Sequence, residues 1–239
     1  MNEKELIIVI AGASGFVGRE LIDYLLKHTK YHLIALSRIE RESTDPRLEW
    51  RKADLFSMLQ VEQAVQSCDV AIYLAHSMLP SADLDQGQFT DYDLLLADNF
   101  ARACDTNIKQ IITLGGDRPE VERQFRSRKF IYTNLRVDFI LGAGGSSFNI
   151  MMNLIQKLPV LFCPAWTKKK MYPLALQDVV RTIAESIDKQ EMFNETFSLK
   201  GSSFLHYEEM LKVIVSKLNL KRTFISIPFF IIWISGLWL

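Results

Sequence analysis

The chain has 239 residues, of which 28 are Lys or Arg and 28 are Asp or Glu, and 49% are apolar. That length accommodates one sizeable α/β core with a smaller lobe and argues against a second independent domain. The formal net charge of zero, with Lys and Arg spread along the sequence, removes the electrostatic case for nucleic-acid binding.

Met1 to Glu5 run directly into an apolar stretch and leave no room for a signal peptide. Cys68, Cys104 and Cys163 are widely separated and follow no disulfide or metal-ligand spacing. A reducing, cytoplasmic setting without zinc is the expectation.

The first stretch, Leu6-Ile7-Ile8-Val9-Ile10, carries no charge, the pattern of a central parallel strand covered on both faces. Gly12-Ala13-Ser14-Gly15-Phe16-Val17-Gly18 follows, and then an amphipathic helix to about Lys27 with Val17, Leu21, Ile22, Leu25 and Leu26 on one stripe. Between a strand and a helix the three glycines have separate tasks. Gly12 permits the tight bend, Gly15 lets a diphosphate approach the backbone, and Gly18 lets the helix pack on the strand. The helix N-terminus then offers unpaired N–H groups to phosphate.

The second strand, His32 to Leu36, ends at Ser37-Arg38. An acidic residue there would bind the ribose 2′-hydroxyl of NAD, whereas Arg38 pairs with a 2′-phosphate and favours NADP, with NAD as the alternative. Leu48 to Asp54 reads as a third strand, and Asp54-Leu55 ends it at the adenine position. Ser57 and Gln60 have capping-box spacing ahead of a helix with Met58, Val61, Ala64, Val65 and Cys68 inward. Val70 to Ala75 forms a fourth strand that closes on His76-Ser77-Met78. Ligands gather at carboxyl ends of strands in such sheets, which places Ala75 and His76 beside the cofactor. His76 is a candidate proton donor; a merely polar loop residue is the alternative.

Phe89 to Asp105 reads as a long helix with Leu94, Leu95, Ala97, Phe100, Ala101 and Cys104 inward, followed by a fifth strand, Gln110 to Leu114, ending in Gly115-Gly116. Strands alternating with helices predict an α/β, doubly wound parallel sheet, the Rossmann arrangement. The crossover Asp117 to Phe130 barely supplies the roughly dozen residues a parallel connection needs. Either its helix is truncated or residues are missing.

A sixth strand, Tyr132 to Leu141, ends in Gly142-Ala143-Gly144-Gly145-Ser146-Ser147, with Ser146 capping a helix from Phe148 to Lys157. Leu158 to Pro173, with Pro159, Pro164, Phe162, Trp166 and Tyr172, reads as a stiff apolar wall on the substrate side, and Lys168-Lys169-Lys170 as a solvated loop. A helix from Leu176 to Ile187, a strand from Phe193 to Gly201, and a helix from Tyr207 to Leu218 with Met210, Leu211, Ile214, Val215 and Leu218 inward complete a smaller lobe. The expected division is a nucleotide-binding domain over 1–145, a C-terminal lobe over 146–222 and an apolar tail over 223–239. The uncharged tail is shorter than the about twenty residues of a spanning helix and contains Pro228. It is read as packed on the lobe, as an interfacial membrane contact, or as the start of a further domain.

The glycine turn, Ser37-Arg38, Asp54-Leu55, Tyr73 to Ser77, Asn99-Phe100-Ala101 with Leu114-Gly115-Gly116, and Leu135-Arg136 through Phe148 together resemble the short-chain dehydrogenase/reductase superfamily. The likeness is to its atypical, epimerase-like branch, which includes NmrA-like and complex I subunit-like NAD(P)-binding proteins. It implies a small-molecule substrate, with Ile140 and Leu141 along the nicotinamide ring. Active members use a Tyr, a Lys four residues on, and a Ser after the fifth strand. Gln124 stands in the Tyr position, Arg128 in the Lys position, and Gly115 or Gly116 in the Ser position. An amide cannot yield a proton near neutral pH, and Arg128 can hold a ribose but not act as a base. Two functions are therefore compatible with these residues. One is an NADP-dependent oxidoreductase or epimerase-like enzyme on a small carbonyl or sugar-like substrate, with His76 or a substrate hydroxyl supplying the proton. The other is a non-catalytic NADP(H) redox sensor or partner-stabilising protein. A membrane-surface role through the tail and Lys168-Lys169-Lys170 is a weaker third.

Overall fold

The computed structural model describes residues 5–75, 86–105 and 108–227, and of 86–90 the backbone alone. The chain packs as two compact units, one formed by Met1–Val137 with Leu176–Leu199, the other by Asp138–Ala175 with Lys200–Leu239. The expected break at residue 145 is thus replaced by one at 137/138, and the chain returns to the first unit at Leu176.

The first unit is built on β1 (Ile7–Ala11), α1 (Phe16–His28), β2 (His32–Ser37), β3 (Leu48–Lys52), α2 (Met58–Ala64), β4 (Val70–Tyr73), α3 (Gln86–Cys104), β5 (Gln110–Gly115), α4 (Pro119–Arg126) and β6 (Ile131–Val137). Its strands form a seven-stranded sheet whose last member is a strand from Glu195–Leu199, β11 in chain order, giving β11-β6-β5-β4-β1-β2-β3. Every pairing is parallel. This is the doubly wound Rossmann order with one strand added beyond β6. β1 lies between β2 and β4, so Ile8, Val9, Ile10 and Ala11 are fully buried and its sequence needs no polar face.

Helices cover both faces. On one, α1 packs against α6 (Leu176–Glu185); on the other, α2, α3 and α4 pack side by side. The core beneath α2 to α4 holds Ala97, Phe100, Phe125, Tyr73 and Tyr132, with the Phe125 and Tyr132 rings stacked at 6.1 Å. The buried amide of Gln110 joins the start of β5 to the end of α6, donating to the Ser186 carbonyl at 2.9 Å and accepting from the Asp188 N–H at 2.9 Å. That bond, with the Thr133 hydroxyl donating to the Met192 carbonyl at 2.9 Å, ties the returning segment to the sheet.

The short crossover is a truncated helix. The eight residues of α4 suffice because the helix opens on Pro119 directly after Arg118 and delivers Phe125 to the core one turn before β6 begins. The capping box at Ser57 does not form. Gln60 Oε1 instead accepts the Asp54 N–H at 2.9 Å, and Asp54 Oδ1 accepts the Phe56 N–H at 3.0 Å, so the loop closes on itself. On α3, Leu95 is exposed, and Leu96 with the carboxylate-bearing Asp93 occupies the inward stripe.

The second unit contains β7 (Phe139–Leu141), α5 (Ser146–Lys157), β8 (Val160–Pro164), β9 (Lys170–Met171), β10 (Pro173–Ala175), β12 (Leu205–His206), α7 (Tyr207–Lys217) and β13 (Thr223–Ile227). The single sixth strand of the sequence reading is therefore two strands, since β7 pairs with β10 in a sheet of its own. Ser146 is the first residue of α5, with Gly145 in the capping position. Phe139, Met151, Ile155, Leu161, Met210, Leu211 and Val215 make the core of this unit, while Leu218 is exposed at the end of α7. β13 pairs in parallel with β8, so residues 223–227 of the apolar tail pack as a strand. Residues 228–239 lie outside the described residues. Arg222 donates to the Ile155 and Gln156 carbonyls at 2.7 and 3.3 Å, satisfying the C-terminal end of α5. Lys168 and Lys169 are exposed, and Lys170 Nζ sits 4.5 Å over the Phe204 ring. No helix among the described residues is long and apolar enough to cross a membrane.

Candidate functional site

The carboxyl edge of the first unit's sheet carries the glycine turn at the point where strand order reverses, between β1 and β4. Gly12 has φ +82°, and a Cβ there would lie 2.8 Å from the Leu74 carbonyl carbon. Only glycine allows both the left-handed bend and this approach to the chain leaving β4. A Cβ on Gly18 would stand 2.3 Å from the Gly12 oxygen, so helix and turn touch through backbone alone. The Gly15 N–H donates to the Gly12 carbonyl at 3.0 Å and closes the turn. Gly15 then occupies the capping position of α1, where no side chain binds the first-turn N–H groups and no acidic residue stands. Ala13 is buried, Phe16 and Val17 are half-buried, and Ser14 and Gly15 face solvent. A bare, exposed helix N-terminus of this kind suits a pyrophosphate.

At the end of β2, Arg38 is exposed. Beside it the structure organises a second guanidinium that the sequence reading passed over. Ser37 Oγ accepts from Arg41 Nε at 3.2 Å and from the Ile39 N–H at 3.3 Å, and the Arg41 guanidinium lies 5.2 Å from the Trp50 ring centroid. Trp50 reaches this position because β3 pairs with β2 in a register that sets Trp50 opposite Ala35. The available signal was a second Arg four residues after the serine. After β3, Leu55 packs against the core, and its carbonyl, with that of Phe56, accepts from the Asn99 amide at 2.9 and 3.3 Å. The Asp54-Leu55 loop is thereby pinned to α3.

Further along the same edge a cleft opens over β4, β5 and β6, lined by Tyr73, Ala75, Thr113, Gly115, Gly116 and Asn134, with Asp93, Arg118, Val121 and Phe125 from the helices. Charges here are paired. Arg118 bridges to the buried Asp93, and Arg136 forks onto Glu122, Nε to Oε1 at 2.6 Å and Nη2 to Oε2 at 2.7 Å. Burial pushes the Tyr132 phenol up to about 12 and the Tyr73 phenol higher still, with Asp93 adding to the latter. Neither gives up a proton readily at neutral pH. A Cβ added to Gly115 or Gly116 would meet nothing within 4 Å, so these positions keep the floor of the cleft open.

Three expected cofactor residues, Arg128, Ile140 and Leu141, are not among those lining this cleft. Arg128 lies at the amino edge of the sheet, opposite the glycine turn, because it leads into β6 rather than out of it. Its Nη2 donates to Asp98 Oδ1 at 2.8 Å, Asp105 lies within 4.0 Å, and its Nε donates to the Gln124 carbonyl. Gln124 is half-buried on α4, its amide donating to the Glu120 carbonyl at 3.4 Å. Ile140 and Leu141 belong to β7 of the second unit. His76 lies outside the described residues. No group of three or more metal-ligating side chains is found among the described residues.

Residues 12–136, just over half of the chain, match the family model described as NAD(P)H-binding. The auxiliary protein GraX of Staphylococcus aureus is 28% identical over 116 residues, a match that takes in 48% of this chain and 38% of GraX. Among solved structures, the Bordetella bronchiseptica enzyme WbmG in complex with NAD superposes with a TM-score of 0.77 at 14% identity, covering 95% of this chain and 83% of that one. The UDP-glucuronic acid 4-epimerase of Bacillus cereus in complex with NAD gives 0.77 at 13% identity, over 93% and 88%. These structural likenesses establish the Rossmann fold, and the edge built from Gly12, Gly15 and Gly18 lies within the matched stretch. The chain belongs to the NAD(P)H-binding family.

Proposed function

We propose that this chain binds NADP(H) in preference to NAD(H) and uses it as an oxidoreductase or epimerase-like enzyme on a small carbonyl or sugar-like substrate. The observation that carries the cofactor preference is the Ser37-anchored, Trp50-supported guanidinium of Arg41 beside the exposed Arg38. Two cations on the ribose side of the turn complement a 2′-phosphate and offer nothing specific to a 2′-hydroxyl. The pyrophosphate would rest on the α1 N-terminus. When bound, the nicotinamide supplies or accepts the hydride, and the protein's part is to hold the reacting carbon and keep water from it. The open cleft over β4 to β6 supports the enzymatic half of the reading.

A second reading, a non-catalytic NADP(H) sensor, is supported by Gln124 at the Tyr position and by Arg128 bound to Asp98 at the amino edge. Calorimetric titration with NADPH and NADH tests the shared part, the expected result being tighter binding of NADPH. Equal affinity would discard the 2′-phosphate site. Oxidation of bound NADPH by any member of a carbonyl panel favours the enzyme, and none across a broad panel favours the sensor.

A further inference from the structure

Asn134 is an anomaly in the core of the first unit. It sits in β6, is 3% exposed, and lines the cleft, yet its Nδ2 group has no hydrogen-bond partner. Buried amide donors are almost always satisfied, because an unpaired one keeps its full desolvation cost. The other end of the same amide is held firmly. Thr113 Oγ1 donates to Asn134 Oδ1 at 2.8 Å and lies 3.2 Å from Tyr132 Oη. With the Thr113 proton on Asn134 Oδ1, Tyr132 is left to donate to Thr113, and the amide, placed with its oxygen toward Thr113, holds its N–H₂ elsewhere, without a partner.

The surroundings narrow what that N–H₂ would meet. The charged groups lining the cleft are paired, Arg118 with Asp93 and Glu122 with Arg136 of the same strand as Asn134. The walls are otherwise aromatic or aliphatic, from Tyr73, Phe125 and Val121, and the Gly115-Gly116 side is open. A neutral donor in an aromatic-walled cleft matches the carbonyl oxygen of a flat, uncharged group.

We infer that Asn134, oriented by the Tyr132–Thr113 relay, is the hydrogen-bond donor for a ligand's neutral carbonyl oxygen bound in this cleft. The inference rests on the proposed cofactor reading for one of its two sources, the carboxamide of the nicotinamide; the other is the carbonyl of a second small molecule. Thr113 acts through Asn134 and is a positioning residue.

The test measures affinities of wild type, Asn134→Leu and Thr113→Val for NADPH, for 2′-phospho-ADP-ribose, which lacks the nicotinamide, and for benzamide as a flat carbonyl probe, the last with and without NADPH. Loss of one neutral hydrogen bond predicts about a tenfold weakening in Asn134→Leu and a smaller one in Thr113→Val. A loss for NADPH but not for 2′-phospho-ADP-ribose assigns the bond to the nicotinamide carboxamide. A loss for benzamide alone assigns it to a second ligand. Unchanged affinities for all three in Asn134→Leu overturn the inference and leave Asn134 a structural residue. In wild type, the Asn134 side-chain amide signals shift on addition of the ligand that uses them, a readout that survives if the variants do not fold; signals that stay fixed under saturating NADPH and benzamide also overturn it. If wild type binds no nucleotide, the cofactor reading fails, and benzamide on the free protein still decides the role of Asn134.

Discussion

Arg41 donates its Nε–H to Ser37 Oγ across 3.2 Å while its guanidinium lies over the Trp50 ring, so the end of β2 carries a cation whose orientation is set before any ligand arrives. A preorganised guanidinium loses less freedom on binding a phosphate than a free one. Arg41→Ala should therefore weaken NADPH by about ten- to a hundredfold, the range of a charge-assisted hydrogen bond, with NADH little affected. Arg41→Lys should recover part of the charge but not the fork. Calorimetry on the two nucleotides checks this, and a parallel loss of both would place Arg41 outside the 2′-phosphate site.

Gly18 and Gly116 make a matched pair of tests. A methyl group on Gly18 would stand 2.3 Å from the Gly12 oxygen and 2.7 Å from Ala13, against backbone that cannot yield without opening the turn. Gly18→Ala should cost about 1–3 kcal/mol by urea unfolding and reduce nucleotide affinity together with stability. Gly116→Ala meets open space and should stay within about 0.5 kcal/mol. Comparable destabilisation in both would contradict the close packing of α1 on the turn.

The forked pair of Glu122 and Arg136 joins α4 to β6 along one wall of the cleft. Glu122 is mostly buried, so Glu122→Gln should lower stability by about 1–2 kcal/mol. Asp117 also reaches Arg136, at 3.0 Å, but from an exposed position, and Asp117→Asn should change the urea midpoint hardly at all. A larger effect at Asp117 than at Glu122 would mean that the fork does not anchor the short helix.

The sheet and the glycine turn were legible in the sequence because local pattern and long-range packing demand the same residues there. An uncharged run suits a strand buried on both faces, and Gly12 and Gly18 are required by contacts within a few residues of themselves. The rest depended on information absent from local spacing. Ser57 and Gln60 fit a capping box, but Asp54 captured the Gln60 carbonyl first. Tyr132 to Leu141 reads as one strand until Asp138, where pairing with the sheet gives way to pairing with β10. Arg128 was misplaced because a shortened α4 brings it to the amino edge. Asn134 carried a signal, a lone amide inside Ile131-Tyr132-Thr133-Asn134-Leu135, whose meaning appears only once Thr113 lies beside it.

Alkaline pH should destabilise the first unit, and the sign follows from burial. Cys68 is 4% exposed, and burial pushes its thiol from about 9 up to about 11, while Tyr132 is pushed up to about 12. Both groups are neutral when protonated, so the folded chain retains protons that the unfolded chain releases, and stability falls as pH rises above the unfolded values. The contribution from Cys68 is intact below about pH 8, and its loss, about 3 kcal/mol, builds through pH 9 to 11 and is complete only above about pH 11. Cys68→Ala should have a lower urea midpoint at pH 7 from the small cavity, yet fall less steeply than wild type between pH 9 and pH 11, because the group that titrates is gone. Parallel profiles for the two proteins over that range would remove Cys68 as the source of the slope and leave the buried phenols to account for it.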